Sequence, residues 1–251
     1  MLDNMEYEEV GANGEIKHGA ISEESWTNQA KTYAKMFALN RQQIINDDLG
    51  AFDDLRSRVG RGAARKFNRV FWLAFLNNGS FFTTARTNYI EGSTTNLGTD
   101  GVGLGLAAKA YMERKTPLVG TDTTSQVMLG GEATKILVPS ALKQNAEILY
   151  KNSNLTAVKA ADANLYAGKY RPVTVVQLGD SSYSGYSATA FYLFGDTYMP
   201  MCASFLNGQQ TPTVEVSEAD FDQLGIQMRG YHDFGCDRSE YLAGIKSKGA
   251  A

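Results

Sequence analysis

The chain holds only two histidines and two cysteines, and one of each, His232 and Cys236, falls in the stretch RGYHDFGCDRSEY beside Asp233, Asp237 and Glu240. Such a set could serve a metal centre or an activated thiol, or it could belong to a structural strand. A structural zinc takes four Cys or His ligands and a catalytic zinc three in fixed geometry, yet the remaining His18 and Cys202 lie far away in the sequence. Side chains at i and i+4 share a strand face only where no turn intervenes, and Gly235 is expected to turn the chain between them. A nucleophilic thiol needs a neighbouring cation to lower its pKa, whereas the neighbour of Cys236 is Asp237. A metal- or thiol-dependent enzyme built on His232 and Cys236 is therefore the weakest reading, and no cofactor is implied.

Other motifs fail on spacing. SYSGYS lacks the leading glycine and following helix of a serine nucleophile elbow. Gly101, Gly103 and Gly105 imitate a dinucleotide loop, but no buried strand precedes them and the third glycine comes one residue too early. The plainer reading is a helix capped by Thr99 or Asp100 and running to Lys115. The acidic cluster NDDLGAFDDL does not have calcium-loop spacing. Asp47 and Asp48 instead suit the cap and dipole of a helix beginning near Leu49. Arg61, Arg65 and Arg69, with Arg56, Arg58 and Lys66 around them, could follow phosphates. Acidic residues upstream nearly balance them, which favours a solvated face or one that meets a neighbour's carboxylates.

The elements that would position these residues read as α+β. Val59, Ala63, Phe67, Val70, Phe71 and Ala74 recur at three and four, predicting a long helix over Val59 to Leu76, stopped by Asn77, Asn78 and Gly79. TKILVPSAL reads as a short buried strand, Ile136 to Val138, then a helix from Ser140 to about Asn152. RPVTVVQLG, ATAFYLFGD, MCASFL and PTVEVSE read as strands from their Val, Thr, Phe and Tyr content. EYEEVGANGEIKHGAI predicts two short polar strands round a turn, with little to bury, so an arm or hairpin lying on something else is expected.

At 251 residues the chain can bury a large core without disulfides, and two cysteines fit a reducing compartment. No basic-then-apolar leader opens the sequence and no run reaches the roughly 18 apolar residues of a membrane span, so neither export nor membrane insertion is expected. With 24 basic against 27 acidic residues, the net charge of -3 does not announce a nucleic-acid binder.

Three segments carry a resemblance: LNRQQIINDDLGAFDDL (Leu39 to Leu55), TKILVPSAL (Thr134 to Leu142) and GYHDFGCDRSEYLAGIKSKGA (Gly230 to Ala250). Together they resemble the major capsid proteins of tailed bacteriophages, close to the capsid part of prohead protease/capsid fusions and to Mu-like head subunits. The resemblance implies the Hong Kong 97 capsid fold, with an arm and extended loop over 1–46 and a peripheral domain over 47–130 containing the spine helix 59–76. It further implies an axial domain over 131–200 and returning peripheral strands over 201–251, which would make His232 and Cys236 structural. The expected function is an icosahedral shell built from hexameric and pentameric capsomers of this chain, enclosing lightly contacted double-stranded DNA. Such a subunit would be assembled in the host cytoplasm, reside in the virion, and work with portal, scaffold or decoration proteins. An encapsulin-type cargo shell is the alternative within the same fold. The inter-subunit contact candidates are Glu15, Lys17, His18, Trp26, Arg41, Asp47, Asp48, Arg61, Arg65 and Arg69. Neither a protease half nor a long scaffolding helix is present, and Met1 is expected to be the initiator.

Overall fold

The computed structural model describes residues 26–46, 50–77, 79–116, 126–155, 163–218 and 224–250. In chain order the elements are β1 (Lys31–Asn40), α1 (Arg41–Asn46), α2 (Gly50–Leu76), β2 (Tyr89–Ile90), α3 (Val102–Met112), β3 (Lys135–Val138), α4 (Lys143–Lys151), β4 (Arg171–Thr174), β5 (Phe191–Phe194), β6 (Met201–Phe205), β7 (Thr213–Glu218), β8 (Gly225–Arg238) and β9 (Gly244–Ser247). The fold is α+β and divides into two compact units. One comprises 27–75 and 201–238, the other 76–200 and 239–250 together with Trp26.

The first unit is organised by β8, whose fourteen residues pair with β1 on one edge and with β6 and β7 on the other, all antiparallel. Phe205 lies opposite Phe234 and Thr213 opposite Tyr231, so eight residue steps on the β6–β7 side cover three on β8. The excess of five loops out at Leu206–Pro212, where Asn207 and Gly208 take positive φ. Period-two alternation turns Gly230, His232 and Phe234 to one face of β8, and all three are buried. The apolar stripe of α2 covers that face: Phe67 stacks on Phe205 at 5.6 Å and meets Phe234 edge-on at 5.1 Å. A side chain at Gly230 would collide with Val59, so the glycine lets helix and strand approach closely.

The second unit is built on a five-stranded sheet in the order β2-β9-β5-β3-β4, with parallel pairing at its two margins and antiparallel pairing within. β5, sequence FYLF, is buried at all four positions, consistent with cover on both faces. Leu104, Ala107 and Tyr111 of α3, Ala146 and Leu149 of α4, and Ile136, Phe191, Leu193 and Ile245 of the strands share one core. Pro172, unable to donate a ladder bond, sits in the edge strand β4, where that deficit is tolerated.

Several expectations change. The long helix begins at Gly50, next to the helix start expected near Leu49, and continues without a break through the Val59 to Leu76 stripe, so the two expected helical stretches are one element. α3 ends at Met112, short of Lys115, whose backbone instead forms a β-bridge with Met128. Gly235 does not turn the chain: β8 runs straight through it. The glycine is needed because the 28–29 backbone passes so close that a Cβ would lie 2.6 Å from Asn28 Oδ1 and would collide with the Gln29 carbonyl.

Candidate assembly surfaces

The straight course of β8 decides the chemistry of its His and Cys. His232 and Cys236 point to the same face, but four residues of strand separate them by about 13 Å, too far for the imidazole to activate the thiol. Burial and the neighbouring Cys202 push the Cys236 thiol up to about 11, so it is held as a thiol at neutral pH. His232 is 7% exposed, its ring 5.7 Å from that of Phe205 and 5.0 Å from that of Phe234, and among the described residues neither ring nitrogen has a hydrogen-bond partner. A cavity of about 180 Å³ lies beside it under the Leu206–Pro212 excursion. Among the described residues, no three His, Cys, Asp or Glu side chains converge as metal ligands.

The glycines of α3 prove to be packing residues. A side chain at Gly103 would collide with the Asn96 carbonyl, and Cβ atoms at Gly101 and Gly105 would meet Tyr166 at 2.7 and 2.5 Å. The helix cap is Gly101, in the left-handed region, and not the expected Thr99 or Asp100; Asp100 stands one residue before it, its Oδ1 accepting from the Val102 N–H at 3.3 Å.

The face of α2 away from the sheet carries Arg61, Arg65 and Arg69, all exposed. Lys66 leaves this row and lies over the Tyr33 ring at 4.8 Å, toward the sheet. The expected charge balance does not hold locally. Acidic residues stop at Asp54, so the helix from Arg56 to Leu76 contains six cations and no anion. Neither Arg65 nor Arg69 makes an ion pair among the described residues.

Of the other expected contact residues, Trp26 is 42% exposed. Arg41 is exposed and anchored through its backbone N–H to the Leu224 carbonyl at 2.8 Å. Glu15, Lys17, His18, Asp47 and Asp48, and the whole expected hairpin of the arm, lie outside the described residues. Sequence reasoning missed a set of exposed apolar side chains. These are Met36, Val216 and Ile226 in the first unit and Val102, Leu165 and Met199 in the second. It also missed the cross-strand pair in which the Arg229 guanidinium meets the Glu215 carboxylate at 2.6 Å. A cross-strand signal becomes readable only when register is known. No described helix is long and apolar enough to cross a membrane.

The profile of one protein family, described as phage capsid protein, matches residues 24–247. No curated protein matches the chain in sequence. Among solved structures, a chain of Mycobacterium phage Patience aligns with TM-score 0.57 at 10% identity, covering 98% of this chain and 77% of that one. The capsid of a native GTA particle aligns with TM-score 0.54 at 15% identity over 99% and 83%. The SrpI encapsulin of Synechococcus elongatus aligns with TM-score 0.51 at 8% identity over 88% and 74%. At such identities the likeness is one of fold.

Proposed function

Because the chain belongs to the phage capsid protein family, we propose that it is the major head protein of a tailed phage, many copies of which close an icosahedral shell round double-stranded DNA. The observation that carries this reading is the family match over 24–247, on a chain that shares its fold with capsid structures along almost its whole length. Work of this kind is mechanical. Weak contacts repeated under symmetry make a closed shell favourable, and arms become ordered once neighbours exist to receive them.

The Hong Kong 97 assignment follows from the same reading. The unit of α2 and the long β8 ribbon corresponds to the peripheral domain, α2 being its spine helix, and the five-stranded unit corresponds to the axial domain. The arm, with Glu15, Lys17 and His18, reaches an adjacent subunit, while Trp26, Arg41, Asp47 and Asp48 belong to inter-subunit contacts. Capsomers of six and five copies, with portal, scaffold or decoration proteins, complete the particle assembled in the host cytoplasm. The role is structural, not enzymatic.

Negative-stain electron microscopy with light scattering on the purified protein tests this function. Uniform shells, capsomer rings or tubes are expected, and a monodisperse monomer or dimer, even after scaffold co-expression, would refute it. Deleting residues 1–21 should abolish closed shells while leaving a folded subunit. The encapsulin neighbour supports a second reading, a shell holding protein cargo. Particle content separates the two: nuclease-protected DNA in one case, a co-purifying protein in the other.

A further inference from the structure

We propose that the outer face of α2 is the surface on which this subunit meets nucleic-acid phosphates, with Arg61, Arg65 and Arg69 as the contacting row. The inference rests on the head-protein reading, which supplies a DNA partner, and it identifies where the chain would touch it. Three observations carry it. The row is held outward because the opposite side of the helix is locked on the sheet through Phe67. Arginines at spacing four lie about 6 Å apart along the axis, so the row spans about 12 Å. A duplex offers one phosphate per ~1.7 Å of its length, enough for each guanidinium to find its own.

The third observation is Gly62, which lies exposed beside the arginines in the interior of the helix. Glycine in a helix interior is destabilising relative to alanine. No described residue requires it, since a Cβ at Gly62 would meet no described atom within 4 Å. A flat strip of backbone beside a cationic row permits close approach by a rod-like polyanion, which the residue's own subunit does not demand. Backbone phosphates, being the same in every sequence, make the contact independent of base identity.

Full-length subunits held below their assembly concentration, titrated into a fluorescent 20-base-pair duplex across a salt series, test the proposal. Three phosphate contacts give a slope of log affinity against log salt of about -2.7, or about 40-fold weakening from 50 to 200 mM salt. The double variant Arg65→Gln/Arg69→Gln should retain the wild-type circular dichroism and fall to a slope of about -0.9. The control Lys109→Gln/Lys151→Gln, which removes two exposed charges of the other unit that pair with Glu113 and Glu147, should bind as the wild type does. Absence of salt-dependent binding by the wild type would overturn the proposal, as would an equal loss in the control. So would a double variant that binds DNA normally but no longer forms shells, which would assign the row to carboxylates of a second copy. Shell formation is followed by microscopy on the same preparations. A wild type that never assembles refutes the head-protein reading and leaves the DNA measurement to stand or fall separately.

Discussion

Replacing Asn88 by alanine should destabilise the five-stranded unit by about 3 kcal/mol, from three hydrogen bonds at about 1 kcal/mol each. Asn88 is fully buried. Its Nδ2 donates to the Phe81 carbonyl at 2.8 Å and to the Tyr241 carbonyl at 3.2 Å, and its Oδ1 accepts from the Thr83 N–H at 2.9 Å. One side chain thus ties the segment following α2 to the turn that leads into β9. For a chain of this size each kcal/mol lowers the melting temperature by about 2–4 °C, so a drop of about 6–12 °C is expected by differential scanning fluorimetry. Asn88→Asp makes the reasoning sharper, since it is nearly isosteric and keeps the acceptor for Thr83. Its carboxylate cannot donate and would face two carbonyl oxygens, so at pH 7 it should be at least as harmful as alanine. Such a carboxyl would have a folded-state pKa raised above its unfolded value. Its deficit relative to wild type should therefore be smallest below about pH 4 and grow as the pH rises. An alanine variant melting within 1–2 °C of wild type by that assay, or an aspartate variant matching wild type at pH 7, would refute this account of the network.

Three further outcomes follow from buried groups. His232→Phe keeps the ring stacking and removes two unpartnered nitrogens, so it should be neutral or stabilising by about 1 kcal/mol, whereas His232→Ala should cost about 2–4 kcal/mol in urea unfolding. A Phe variant as unstable as the Ala variant would show that the imidazole nitrogens have partners in solution. With its thiol pushed up to about 11, Cys236 should resist iodoacetamide at pH 8 while exposed Cys202 reacts, and its labelling should quicken as the pH approaches 11. Mass spectrometry showing equal rates at both would contradict the burial argument. Truncation after Ala243 removes β9, the strand between β2 and β5, and should leave a protein that exposes apolar surface to dye and does not melt cooperatively. A cooperative melt near the wild-type temperature would sink that expectation.

Much of the fold was readable where the signal is local. The apolar period of three and four in Val59 to Ala74, the Asn77–Gly79 stop, and the Ile136–Val138 strand with the helix after it all appear where the sequence placed them. β9 was missed because GIKS has no alternation of its own, and its place comes from neighbours on both sides, 191–194 and 89–90. The arginine row was legible as a row, but its electrostatic setting was misread. Averaging over the helix hid a division into an acidic start and a purely basic remainder.

By itself the sequence determined the period of each strong element, the shortage of metal- and thiol-type residues, and the family to which the chain belongs. Those properties depend on residue type and on spacing within a few turns. The tertiary structure alone decided which strands flank β8, why Gly235 is straight, and which face of α2 looks outward. Each of these depends on contacts between distant residues, such as the Asn28 amide and the Gly235 carbonyl, 207 residues apart. Close approach of two backbones, or the covering of one helix face, is a property of the packed pair and leaves no periodic trace in either segment.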